Sequence, residues 1–156
     1  MKTIIILIVA MILFSCNENS KNKVYFPDKS MAYNKSYDDV WNKLTKWCDS
    51  SVVSVKCIDQ KTGLISFEFN LNSDMSDKYV DYLVNGKSAF FQHCIGKIYI
   101  IVKQQTEKVI VNIDSYYEAE APQDSIQSKF VTSYLKKVKC QSTGILEKEI
   151  FEYINK

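Results

Sequence analysis

The residue whose surroundings specify a chemistry most fully is Cys16. It follows Leu13-Phe14-Ser15, so a small residue stands immediately before it, and upstream lie Lys2 and an almost wholly apolar run from Thr3 to Leu13. A charged start, a short apolar stretch and a small residue at the cut make a secretory signal. The apolar run is too short to span a bilayer, which takes about 20 residues. With a cysteine directly after the cut, the layout is that of a bacterial lipoprotein signal. Cleavage before Cys16 is expected, followed by acylation of its thiol (palmitate or a similar chain) and of the new amine. More than one acyl chain holds a protein stably on a membrane, where a single chain is marginal.

The other reactive side chains are poorly arranged for catalysis. His93 is the only histidine, so a Ser/His/Asp or Cys/His mechanism would have to run through it. Its neighbour Cys94 is not a suitable nucleophile, because adjacent residues of a strand point to opposite faces. If Phe90, Cys94 and Ile98 face the core, His93 faces solvent. Cys48, Cys57, Cys94 and Cys140 remain once Cys16 is spent on lipid. In an exported domain they are candidates for two disulfides in any of three connectivities; alternatively they are small buried apolar side chains. They lack the close ligand pairs of a structural zinc site, so no metal is expected. Gly63, Gly86, Gly96 and Gly144 form no phosphate-cradling loop. No catalytic residue and no cofactor emerges.

Four surface features remain. Glu118 and Glu120 share a face if their strand continues, and solvated charge is the ordinary state of such a pair. Lys136, Lys137 and Lys139 read as a solvated helix face that could meet an anionic surface. Tyr79, Tyr82, Tyr99, Tyr116 and Tyr117 sit on or beside the second half of the sheet, and exposed tyrosine is what interfaces use. Asp124-Ser125-Ile126 is similar to a short O-glycosylation acceptor of exported proteins.

Composition sets the frame for these side chains. The chain has 156 residues, 46% hydrophobic and 13% aromatic, which specifies a packed globular domain. Residues 1–15 are expected to be the cleaved signal, 16–30 the lipidated cysteine with a flexible tether, and 31–156 a single domain. Net charge is +2 for the whole chain, with 20 basic residues, all of them lysine. Neither steering toward nucleic acid nor the bidentate arginine grip on phosphate is provided for, so no nucleic-acid partner is expected.

The elements expected to carry these residues are as follows. Val24 to Pro27 reads as a short edge strand. Ser36 and Asp39 form a capping box, and Tyr37, Val40, Trp41, Leu44, Trp47 and Cys48 recur at helical spacing, with lysines toward the end of the helix. Val53, Val55 and Cys57 lie on one face of a strand, and Ile65, Phe67, Phe69 and Leu71 on the returning one. Asn72 to Asp77 reads as a loop, and Lys78 to Val84 as either helix or strand before the Asn85-Gly86 turn. Phe90 to Lys103 and Val109 to about Glu118 form a second hairpin. Ile126, Phe130, Tyr134 and Val138 suggest a helix over Ser125 to Lys139. Ser142 or Thr143 would cap a last helix burying Leu146, Ile150, Phe151 and Ile154. This predicts the α+β class: an antiparallel sheet of about four to five strands in two hairpins, with an N-terminal amphipathic helix and C-terminal helices on one face.

Tyr37-Asp38-Asp39-Val40-Trp41 opening a helix, followed by Asp59-Gln60-Lys61-Thr62-Gly63-Leu64-Ile65, resembles domains of the C subunit lipoprotein of the outer-membrane barrel-assembly machinery. The resemblance spans Tyr33 to Leu71. It implies a helix-grip fold, a curved antiparallel sheet cradling helices and related to the TATA-binding-protein fold. It also implies a scaffold for protein contacts, with no catalytic residues. The combined expectation is a lipid-anchored, non-enzymatic binding or scaffold domain of the bacterial envelope, on the outer membrane and facing the periplasm or the surface. It would be held to the membrane through Cys16 and work with a protein partner. The alternatives are a small-ligand or lipid carrier with a cavity between sheet and helix, and an immunity-type inhibitor of an envelope-active toxin.

Overall fold

The computed structural model describes residues 29–84, 87–88, 92–122 and 135–156. The expected signal, Cys16, most of the tether, the Val24 to Pro27 strand, the Asn85-Gly86 turn, Phe90 and the Asp124-Ser125-Ile126 sequence lie outside the described residues. In chain order the elements are β1 (Ser30–Tyr33), α1 (Tyr37–Ser50), β2 (Ser54–Asp59), β3 (Leu64–Leu71), α2 (Ser73–Tyr79), β4 (Val80–Asp81), β5 (Leu83–Val84), β6 (Lys87–Ser88), β7 (Gln92–Gln105), β8 (Lys108–Pro122), β9 (Leu135–Ser142) and α3 (Ile145–Asn155).

Helix α1 starts where its cap predicts. Ser36 Oγ accepts the Asp39 N–H at 3.1 Å, and Val40, Trp41, Leu44 and Cys48 form the buried stripe. Lysines do not close it, because the helix runs on to Ser50 and leaves Lys46 short of the last turn. The two stretches that carry the family resemblance meet in space: Tyr37 Oη donates to the Gln60 carbonyl at 2.9 Å, and Gln60 Nε2 donates to Asp38 at 3.3 Å. Gly63 ends that turn with φ +71°, and its carbonyl accepts the Val102 N–H at 2.8 Å. A Cβ there would stand 2.1 Å from the Val102 carbonyl oxygen, so both conformation and space require glycine.

The class is α+β, as expected, but the sheet is larger than predicted. It has seven strands in the order β2-β3-β7-β8-β9-β4, with β1 also pairing β8, and every pairing is antiparallel. Strand β8 is the axis. One edge pairs along its length with β7, and the other is shared end to end by β1, opposite Val109 to Asn112, and β9, opposite Tyr117 to Pro122. Strands β1 and β4 are too short to leave an alternating pattern in the sequence. The fold also begins earlier than residue 31: the Lys29 carbonyl accepts the Ile113 N–H, and Ser30 already pairs with Asn112.

Two further expectations are corrected, and one left open between two alternatives is resolved. The helix read over Ser125 to Lys139 is contradicted where it can be seen, because Leu135–Ser142 is strand β9. Asn72 to Asp77 is not a loop: Asn72 Oδ1 accepts the Met75 N–H at 2.9 Å and caps α2. Lys78 to Val84 holds both alternatives in turn, the end of α2 and then β4 and β5.

Helices α1 and α3 cover one face of the sheet. Against them lie Ile65, Phe67 and Phe69 of β3, Ile98, Ile100 and Val102 of β7, and Val109, Val111, Ile113 and Tyr117 of β8, all buried. Gly96 leaves room for aromatic rings to cross β7. A Cβ on it would stand 2.7 Å from Phe69 and 3.0 Å from Tyr117.

Candidate binding surface

Helices and core claim one face of the sheet, and the alternation of each strand sends the other side chains outward. The register places Leu64, Ser66 and Glu68 of β3 opposite Ile101, Tyr99 and Lys97 of β7, which in turn face Asn112, Asp114 and Tyr116 of β8. Two features stand out on this outer face. Tyr99 and Tyr116 form an edge-to-face pair with centroids 5.9 Å apart and planes at 78°, and they are 42% and 55% exposed. Beside them runs a band of alternating charge, Lys56–Glu68 at 3.2 Å and Lys97–Glu118 at 3.7 Å, continued by Lys139 opposite Glu118. Together they border a groove of about 630 Å³ whose lining includes Leu64, Lys97, Tyr99, Asp114, Tyr116 and Lys139.

The five tyrosines expected beside the sheet therefore divide. Tyr99 and Tyr116 are on the surface, whereas Tyr79 and Tyr117 are buried and Tyr82 is half-buried. Glu118 and Glu120 do share a face, and the expected lysine cluster meets them there: Lys139 and Lys137 lie directly across the β8–β9 ladder. Those lysines belong to a strand with carboxylates opposite, not to a solvated helix face.

Among the described residues the cysteines, Cys48, Cys57, Cys94 and Cys140, are free thiols. The disulfides considered for Cys48, Cys57, Cys94 and Cys140 are absent, and geometry explains much of this. A bulge between Val55 and Cys57 shifts the register, so Val55 opposes core-facing Phe67 while Cys57 opposes Ser66 on the outer face. Cys57 and Val55 thus do not share a face, contrary to the simple alternation. Cys94 and Cys140 do point the same way, but β8 lies between their strands. Two strand spacings make about 9.6 Å, beyond the roughly 7 Å limit for bridged Cα atoms. Burial pushes the Cys48 and Cys94 thiols up to about 11, the reverse of an activated nucleophile.

His93 is exposed, as expected, for a reason the sequence did not show. It is the extra residue of a bulge between Gln92 and Cys94, with φ +49°. Among the described residues, no group of three His, Cys, Asp or Glu side chains could hold a metal ion.

One buried polar centre went unread. Glu147, 2% exposed, lies in the first turn of α3, where the helix dipole favours a negative charge. Ser115 Oγ donates to its carboxylate, as does Ser142 Oγ at 2.8 Å. Ser142 Oγ also accepts the Gly144 N–H, and Thr143 Oγ1 accepts that of Ile145. Neither Ser142 nor Thr143 is the cap residue, which is Gly144 with φ +77°, yet both serve the helix end. The Tyr117 hydroxyl is buried nearby with no hydrogen-bond partner among the described residues, and burial first, then the Glu147 charge, pushes its pKa far up. The sequence signal was Glu three residues after Gly144, half of a capping box. Closed to solvent, this centre fastens α3 to β8 and β9.

No family model matches the sequence, and comparison with curated proteins finds no match.

Proposed function

We propose that this chain is a lipid-anchored, non-enzymatic binding or scaffold domain of the bacterial envelope, carried on the outer membrane through Cys16, with the outer sheet face as its contact surface. The observation that carries the reading is the Tyr99–Tyr116 pair, held in a groove on the face that the helices leave uncovered. Large amphipathic rings are costly to expose without use, and they enrich contact surfaces. The apolar run ending in Ser15-Cys16 supports the anchor, and among the described residues no helix is long and apolar enough to cross a membrane.

Against a carrier weighs the packing where its cavity would lie. Phe67, Phe69 and Ile100 are buried, with the Phe67 ring 5.4 Å from Trp47 and 6.3 Å from Phe69. Against an enzyme weigh the raised Cys48 and Cys94 thiols, the reverse of activated nucleophiles.

Two measurements test the reading. Cys16→Ala should move the protein out of the membrane fraction, and a variant that stays membrane-bound refutes the anchor. A photo-crosslinking residue in place of Tyr116 should give a discrete adduct in cells. The same adduct from Asn42, exposed on α1 on the helix-covered side of the sheet, would remove the assignment of the face.

A further inference from the structure

The groove on the outer face narrows the class of ligand, an inference that rests on reading this face as the contact surface. Its charged lining consists of Lys97, Lys139, Asp114 and Glu118, two cations and two anions, which sum to zero. Three of these charges are also paired locally, and the fourth, Lys139, stands across the ladder from Glu118. Lys97 Nζ lies 3.7 Å from Glu118, and Asp114 lies 3.5 Å from Lys29. A phosphate or polyanion approaching the lysines meets carboxylates beside them, and a cation meets the reverse. Neither gains the focused potential that draws a charged ligand.

What the groove does offer is ring surface among fixed donors and acceptors. Tyr99 and Tyr116 stand at 78° to each other and are 42% and 55% exposed, so ring surface of both stays open to a ligand. The negative face of an aromatic ring attracts the weakly positive hydrogens of C–H groups. Ammonium and carboxylate groups held in salt-paired geometry can take a hydroxyl as acceptor and donor together. The matching ligand has flat C–H faces, a rim of hydroxyls and no net charge. We propose that the outer groove binds a neutral glycan, a segment of uncharged polysaccharide lying across β7 and β8 against Tyr99 and Tyr116. At about 630 Å³ the groove is in the range of small-ligand sites. A protein partner fits it less well, since the cores of protein interfaces are depleted of the charged groups that line this one.

The test is calorimetric titration of the full-length protein in mild detergent with neutral hexasaccharides of glucose, mannose and N-acetylglucosamine, with polygalacturonate as the anionic comparison. At least one neutral hexasaccharide should bind, with little change in about 0.5 M salt. Tyr99→Ala and Tyr116→Ala should each weaken it by about tenfold or more, while urea midpoints report that both variants remain folded. The proposal is overturned if no neutral hexasaccharide binds, if both variants bind as the parent does, or if only polygalacturonate binds and salt removes it. A protein adduct from the crosslinker at position 116 without glycan binding would retain the face and reject the glycan. Loss of both signals would reject the face itself.

Discussion

Replacing Glu147 by alanine tests the account of the buried polar centre. The carboxylate is 2% exposed and receives the hydroxyls of Ser115 and Ser142. Hydrogen bonds to a charged group contribute about 1.5–3 kcal/mol each, so two give about 3–6 kcal/mol gross. The helix dipole adds about 0.3–1 kcal/mol. Offsetting this, alanine relieves the desolvation of a buried charge, which costs several kcal/mol before compensation. Ser115, itself buried, then keeps a hydroxyl with no acceptor, a cost of about 1–3 kcal/mol. The expected net loss is about 3 kcal/mol, read in urea at 25 °C, or about 10 °C in Tm. Glu147→Gln, which keeps an acceptor oxygen, should lose about half as much. A Ser115→Ala/Glu147→Ala cycle should give a coupling of at least about 1 kcal/mol. If Glu147→Ala changes stability by less than about 1 kcal/mol and the cycle shows no coupling, the centre does not fasten α3 to the sheet and the reasoning fails.

Gly63→Ala should destabilise the fold by about 3 kcal/mol or more in the same urea assay. It forces φ +71° on a residue with a Cβ and drives that Cβ to 2.1 Å from the Val102 carbonyl. Gly96→Ala should cost about 1–3 kcal/mol by overpacking Phe69 and Tyr117. Stability should fall as pH rises from about 9. The Cys48 and Cys94 thiols are held up to about 11 and Tyr82 up to about 12, so the native state keeps protons that the unfolded chain releases. The stabilisation is whole below the ordinary thiol value and lost as pH climbs toward the folded one; urea midpoints between about pH 7 and 10.5 should decline, and Cys94→Ala should flatten the decline. Under iodoacetamide at neutral pH, mass spectrometry of the described cysteines should find Cys57 labelled before buried Cys48 and Cys94.

Long elements with one dominant period could be read from the sequence. Helix α1 was visible in its cap and stripe, β3 and the β7–β8 hairpin in their alternation, and α3 in Leu146, Ile150, Phe151 and Ile154, all of which are buried. The failures have physical causes. In β9 the pattern Lys137-Val138-Lys139-Cys140 alternates as a strand does, but Val138 also completes a four-residue spacing with Tyr134, Phe130 and Ile126. What decides is the open edge of β8 from Tyr117 to Pro122, whose backbone groups need partners, and no local window contains that edge. Helix α2 was missed because its signal is Asn72 alone, and a seven-residue helix carries too little apolar periodicity to compete with its turn-forming residues. The bulge at Lys56 moved Cys57 to the outer face, and a one-residue insertion of this kind leaves no mark on composition. Of the candidate surface, tyrosine abundance was visible but its division was not. Tyr116 and Tyr117 are adjacent, and only the register sends one outward to Tyr99 and the other inward beneath Gly96.

That division has a consequence for how the molecule can vary. Side chains that stabilise the fold, from Leu44 to Ile150, are buried on the inner face, while Lys97, Tyr99, Tyr116 and Lys139 of the groove lie on the outer one and share strands β7, β8 and β9 with it. An aromatic pair contributes about 0.5–1.5 kcal/mol beyond its area, so the Tyr99–Tyr116 contact is a small part of the stability of a domain this size. The outer face can therefore change its side chains without unfolding the domain, whereas Gly96 cannot change without displacing rings on the inner one. A sheet arranged this way separates the residues that must be kept for folding from those that can be selected for binding. The charged band stays with the second group: Lys56–Glu68 and Lys97–Glu118 are solvent-exposed pairs of the kind that contribute about 0–1 kcal/mol to stability. Their substitution should therefore leave the fold nearly unchanged.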